Sequence, residues 1–377
     1  MRLLFFITIL LVIQAENMGA NRLPRSYYTV DNHAAGKEKI HPEGMHPKAQ
    51  LEFVRQKVKN REQPYYNAYN QLIAYADSAF QHTTHGLADF NVPGFYVDAI
   101  GHRKNSLSLQ SDAFDAYACA LACRLSGKKK YAKEALRFLQ AWADTNTKYS
   151  NADGPLVMSY SGTAMVIAAD LLGDYKGWET APRKKFATWV KDVYRKSANE
   201  IRNRKNNWAD WGRLGSILSA AYLNDTTEIK ENIRLIKSDL AEKIEEDGHM
   251  PHETVRGANG IWYTYFSLTP MTASFWVAYN ATGENLFTWH EGDRSIKKAL
   301  DYLYYYNLHP NEWKWFKNPN QGSPDKWPGN LFEAVSGIYN EPGFESYTTP
   351  ARPIIYNLHH FAWTFPTLMK VQLSGYK

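Results

Sequence analysis

From residue 111 onward, apolar positions recur at three- and four-residue spacing with polar positions between them, the period of amphipathic helices. "SDAFDAYACALACRLSG" and "KKYAKEALRFLQAWADT" read as a helical hairpin, with Gly127 of the intervening "SGKK" as C-terminal cap. The same period continues through "GTAMVIAADLLGDY", "APRKKFATWVKDVYRKSANEI", "NWADWGRLGSILSAAYL", "TEIKENIRLIKSDLAEKI", "IWYTYFSLTPMTASFWVAY" and "SIKKALDYLYYYN". Two-residue alternation is hard to find, and no fixed repeat length recurs, so tandem arrays of the TPR or ankyrin kind are excluded. Successive antiparallel helix pairs over a chain of this length predict an all-α fold, an α/α toroid that is either an incomplete or a closed barrel of hairpins. A right-handed helical stack gives the same local pattern.

Two stretches interrupt the helices: residues 82–110 and 308–353, rich in Gly, Pro, Asn and aromatics. Loops this long inside a compact domain tend to be functional, which places them at the rim of a cleft. Neither resembles a flexible linker, so residues 21–377 are read as one catalytic domain. Ahead of it, "MRLLFFITILLVIQAENMGA" carries an early arginine, an apolar run from Leu3 to Ile13, and small residues at Ala15 and Ala20. The run is shorter than the roughly 20 residues needed to cross a bilayer, so residues 1–20 read as an export signal and the protein as periplasmic or secreted, without membrane insertion.

Composition narrows the partner. The chain of 377 residues has net charge +6, 12 Trp and 25 Tyr. In an exported protein, cations together with aromatic rings suit an acidic polysaccharide, whose carboxylates meet the charges and whose sugar faces meet the rings. No nucleic-acid-binding motif is present, and export argues against that partner. Cys119 and Cys123, four apart on one helix, are poorly oriented for a bridge and read as buried free thiols. Nothing in the sequence fixes an oligomeric state.

Candidate chemistry gathers in "PHETVRGANGIWYTYFSL", residues 251–268. The apolar stripe of the helix beginning at Ile261 runs through Trp262, Phe266, Thr269, Ala273 and Trp276, and Tyr263 falls away from its centre. In a toroid that face looks into the cleft. Gly257 and Gly260 break any helix through Arg256 and leave it in the turn leading in. In "RNRKNNWADWGRLG", Trp208, Trp211, Leu214, Gly215 and Leu218 form a predicted buried face, and Asn206 and Asn207 stand at the helix start. One of the two suits an N-cap, and the other suits a carboxylate, helped by the helix dipole.

Together these groups meet the demands of β-elimination on a uronic acid. The carboxylate beside C5 must be neutralised, the C5 proton removed, and the departing O4 protonated. An arginine beside a tyrosine is expected to lower the phenol's pKa.

"NNWADW", followed by "DGHMPHETVRGANGIWYTYFSLTPM", resembles the alginate lyase family of α/α-toroid polysaccharide lyases, as does the earlier hairpin "LQSDAFDAYACALACRLSGKKKYAKEALRFLQAWADT". The likeness spans most of residues 105–280. It implies that Asn207 binds the substrate carboxylate, Arg256 neutralises it and Tyr263 transfers protons. One position departs: Trp208 stands where the family commonly has histidine. The base is therefore open between His252, His102 and Tyr263 itself. Asn206, Arg103, Gln110, Tyr160, Trp211 and Tyr265 are candidates for substrate binding.

The reading competes with a toroidal glycoside hydrolase using carboxylates such as Asp112, Asp210 and Glu253, and with a non-catalytic sugar-binding protein. "HMPHE" clusters His249, His252 and Glu253, but its spacing defines no metal-binding face, and a tyrosine-based lyase requires no cofactor.

Overall fold

The computed structural model describes residues 44–376, so the export-signal assignment to residues 1–20 lies outside the described residues. The fold is an all-α toroid. Its helices in chain order are α1 Lys48–Lys59, α2 Tyr65–Ser78, α3 Ala99–Ser126, α4 Lys129–Thr145, α5 Gly154–Leu171, α6 Thr180–Trp189, α7 Arg195–Ile201, α8 Asn207–Tyr222, α9 Thr226–Ser238, α10 Leu240–Lys243, α11 Pro251–Thr254, α12 Gly260–Thr282, α13 Ile296–Leu308, α14 Gly329–Tyr339 and α15 Pro342–Thr348.

Helix composition decides which layer a helix joins. Every residue of α5 is buried, as is all of α8 except Trp208, and α12 is buried from Thr264 to Ala278. Helices apolar all round belong inside. These pack in sequence, α3 on α5, α5 on α8 and α8 on α12, to form the inner wall. Amphipathic helices cover them. In α9 only the stripe Ile229, Asn232, Ile233 and Ile236 is buried, and it faces α8, while α4 packs on α3 and α13 on α12. Gly127 ends α3 in the left-handed conformation, φ 72°, with its N–H donating to Cys123 O, as expected of the hairpin cap.

The middle of the ring is filled by a non-helical C-terminal segment. Phe361 and Phe365 pack on Phe114 of α3, and Trp363 donates its Nε1–H to Thr272 Oγ1 of α12 at 2.9 Å. Asn330 of α14 donates to Trp363 O at 3.2 Å, and Gln50 of α1 donates to Met369 O at 2.8 Å. This segment therefore ties both ends of the helical series together.

Three expectations are revised. Residues 99–110 are helical, because Asp98 caps α3 by accepting from the Gly101 N–H at 2.8 Å. Residues 308–353 contain α14 and α15, leaving 313–328 as the principal irregular stretch. Cys119 is buried and Cys123 only partly so, both as free thiols. A short parallel pairing of β1 Asp89–Asn91 with β2 Lys148–Ser150 anchors the loop that follows β1. No helix among the described residues is long and apolar enough to cross a membrane.

Candidate active site

A cavity of about 710 Å³ opens where the N-termini of α3, α5, α8 and α12 converge, lined by His102 and Arg103, by Leu156, by Asn207 and Trp208, and by Trp262 and Tyr263. Four helix N-termini aimed at one space favour a negatively charged ligand there.

Tyr263 and Arg256 meet in this cavity. The Arg256 guanidinium lies over the Tyr263 ring, 4.0 Å from its centroid, and donates through Nη2 to Tyr96 Oη at 3.2 Å. The Tyr96 and Tyr263 hydroxyls are 2.7 Å apart. Tyr96 comes from the loop after β1, so a residue far upstream completes the pair. The expected lowering of the Tyr263 phenol is not found. Burial, first, and the hydrogen bond with Tyr96 raise it above its ordinary value, and the opposing charge of Arg256 is too small to reverse them.

Asn207 is the first residue of α8, and Glu253 of α11 grips it: the Asn207 backbone N–H donates to Glu253 Oε1 at 2.6 Å and its Nδ2 donates to Oε2 at 2.8 Å. Asn207 Oδ1 is buried without a hydrogen-bond partner. Burial pushes the Glu253 carboxyl up from 4.5 to about 7, against the hydrogen bond from Asn207. Asn206 does not reach the cavity. It is the N-cap of α8, its Oδ1 accepting from the Trp208 N–H at 3.4 Å. Trp208 is turned out of the predicted buried face into the cavity wall, with the Arg204 guanidinium 3.9 Å from its ring centroid.

His102 is the histidine that both sequence and structure bring to the site. Its Nδ1 is 2.9 Å from Pro93 O and 3.2 Å from Asp153 Oδ2. A carbonyl oxygen only accepts, so Nδ1 carries the proton and neutral His102 keeps Nε2 as its basic nitrogen. Burial lowers the His102 pKa, but Asp153 and the Pro93 carbonyl outweigh it and leave a net rise. His359, from the C-terminal segment, lies nearby on the cavity wall. Burial, reinforced by His102, lowers it to about 4, so it is neutral.

Of the other candidates, Arg103 lines the cavity and stacks over Phe95 at 5.4 Å. Tyr160 contributes to the wall but is 1% exposed, with its ring 4.6 Å from that of His359. Gln110 lines a smaller adjoining hollow of about 290 Å³ instead. Trp211 is core, packed among Tyr160, Phe266 and His360. Tyr265 is core too, its hydroxyl donating to Asn330 Oδ1 at 3.0 Å. Two residues along a helix is about 200° of rotation, which sends Tyr265 inward when Tyr263 faces the cavity. His252 does not line the cavity, since on its short helical turn it is the neighbouring Glu253 that reaches Asn207.

The carboxylates named for hydrolysis are otherwise engaged. Asp112 accepts from Trp142 Nε1 and the His85 backbone, Asp210 pairs with Lys243 at 2.8 Å, and Glu253 holds Asn207. Asp153 is the one carboxylate among the described residues that line the cavity.

The sequence does not point to Tyr96, Asp153 or His359 as site residues, and it offers Glu253 only as a hydrolase carboxylate, not as the partner of Asn207. Glu253 had a local signal, three residues before Arg256; the others are brought in only by tertiary contacts.

The alginate lyase family model matches residues 53–313. Among curated proteins, none matches the sequence significantly. Similar folds occur in an alginate lyase from Bacteroides ovatus, with 20% identity over 88% of this chain and 99% of that one and a TM-score of 0.67. Alginate lyase A1-III from Sphingomonas species A1 is 14% identical over 88% of this chain and 96% of that one, with a TM-score of 0.72. A tyrosine-to-phenylalanine variant of A1-III complexed with a tetrasaccharide is 15% identical over the same shares, with a TM-score of 0.71.

Proposed function

The chain belongs to the alginate lyase family and is a polysaccharide lyase, and we propose that its cavity cleaves alginate by β-elimination with Arg256, Asn207, Tyr263 and His102 as the working groups. The observation that carries this is the stacking of Arg256 on Tyr263 at 4.0 Å inside the cavity where the helix N-termini converge. Such a site suits a uronate carboxylate, and the tetrasaccharide complex of the A1-III variant supports an oligosaccharide as occupant.

Arg256 and Asn207 take the carboxylate attached to C5 and stabilise the negative charge that spreads onto it as the C5–H bond breaks. His102, through Nε2, accepts the C5 proton. The electron pair of that bond forms the C4–C5 double bond and expels O4, which takes a proton from the Tyr263 hydroxyl. Two observations divide these roles. The raised pKa of Tyr263 keeps the phenol protonated, which suits an acid, and the Nδ1 contacts of His102 leave a basic Nε2. Tyr96 holds the Tyr263 hydroxyl in place.

A hydrolase would need a second carboxylate across the scissile bond, and Asp153, already accepting from the Phe95 N–H at 2.8 Å, has none opposite it among the cavity-lining residues. Export through residues 1–20 would place the enzyme in the periplasm or outside the cell, where polymer is met. Incubation with alginate tests the reaction: the ultraviolet absorbance of the new C4–C5 double bond should rise with chain cleavage. Reducing ends appearing without that absorbance would mean hydrolysis, and neither signal would mean binding only.

A further inference from the structure

Three arginines around the cavity share one arrangement. Arg256 lies over Tyr263 at 4.0 Å, Arg204 over Trp208 at 3.9 Å, and Arg103 over Phe95 at 5.4 Å, each ring being part of the cavity wall. Elsewhere in the fold, Arg195, Arg202, Arg213 and Arg352 are each spent on a carboxylate. Arg256 and Arg103 line the cavity and Arg204 covers Trp208 of its wall; among the described residues, none of the three has a carboxylate within ion-pairing distance. A guanidinium held over a ring is positioned and partly desolvated, and apart from the Arg256 bond to Tyr96 its N–H groups can still take a planar carboxylate.

Resting on the lyase reading above, we infer that Arg204 and Trp208 form a separate uronate subsite, which grips the carboxylate of a sugar neighbouring the one held by Arg256. Three features point to this. Arg204 is exposed at the rim, so it meets a chain that extends beyond the reacting sugar. It stands two residues ahead of Asn206, the N-cap of α8, where the dipole adds to its attraction for an anion. Trp208 itself lines the cavity, so the guanidinium it supports stands beside the space the polymer enters. The polymer is recognised through regularly spaced carboxylates, one per sugar, rather than through a single charge.

The test is calorimetric binding of defined uronates, one to eight sugars long, to the Tyr263→Phe protein with and without Arg204→Ala or Arg204→Lys. Loss of a charge-assisted contact should weaken the longer oligomers by about tenfold or more. The monosaccharide, which cannot occupy both sites, should be weakened less than twofold. Lysine should recover only part of the affinity, because it lacks the flat fork. The salt dependence for long oligomers should become shallower in the alanine variant. Equal weakening at every length, or none at any length, overturns the subsite while leaving the elimination reading intact. If the unmodified enzyme forms no double bond on any uronan, both readings fall.

Discussion

The Arg256 guanidinium touches the face of the Tyr263 ring, whereas the Tyr263 hydroxyl, at the ring's edge, is hydrogen-bonded to Tyr96. The arginine therefore positions the ring without holding the phenol ionised. Tyr263→Phe keeps the ring, its stacking and the fold, and removes only the transferable proton. The rate of double-bond formation should fall by about a hundredfold or more, given what general acids contribute. Unchanged melting temperature with that loss supports the role, and a near-normal rate refutes it.

Asp153 Oδ2 serves both the Phe95 N–H and His102 Nδ1. Asp153→Asn can keep an oxygen at that point and lose only the charge. Because Asp153 raises the His102 pKa, the substitution should lower it. A base works when unprotonated, so the acidic limb of the kcat/KM profile should move to lower pH. The plateau should fall by about tenfold as the base weakens. An unmoved acidic limb would mean that His102 does not set it.

Glu253 offers a stability test. Its carboxyl is pushed by burial from 4.5 to about 7 in the folded chain. Below pH 4.5 both folded and unfolded states hold the proton. As pH rises from 4.5 towards 7 the unfolded chain releases it first, so the folded state loses relative stability through that window and no further above it. Glu253→Gln has no such proton and can still accept from the Asn207 N–H through its carbonyl. Its melting temperature relative to the parent should therefore climb between about pH 5 and 7 and then level off. A constant difference across pH would show that Glu253 titrates normally. Activity should also fall, because the glutamine amide cannot accept from Asn207 Nδ2 as the second carboxylate oxygen does.

What was legible in the sequence was local. Arg256, Tyr263 and Asn207 each sit at a helix start or in the turn leading into one, where spacing alone indicates direction, and the toroid follows from the alternation of all-apolar with striped helices. Tyr96 was not legible, because it meets Tyr263 across 167 positions and only through the loop that β1 and β2 anchor. Asp153 and His359 reach the site by the same kind of long-range closure. Among the misread residues, Tyr265 shows the limit of motif reasoning: its chemistry matched that of its neighbour, and the helical rotation between them sent it to the core. His252 failed for a similar reason beside Glu253. Trp208 looked like core because tryptophan usually is, whereas in this chain Arg204 covers its ring in place of other apolar side chains.

The division of roles between His102 and Tyr263 makes a stereochemical claim. In mannuronate the C5 proton and the C4 oxygen lie on the same side of the ring, and in guluronate they lie on opposite sides. One tyrosine oxygen can reach both atoms only in the first case. His102 stands on α3 and Tyr263 on α12, and both line the cavity. In the proposed mechanism a base and an acid on separate helices serve the two faces that guluronate requires. His102→Ala should therefore reduce cleavage of guluronate-rich blocks by about a hundredfold or more. Mannuronate-rich blocks should retain a larger share, because Tyr263 can still reach both atoms there. His252→Ala, altering a residue outside the cavity, should change neither. Equal loss on both blocks in His102→Ala would make His102 the base for either sugar and exclude the tyrosine-alone route. Full activity on guluronate in that variant would remove His102 from the mechanism.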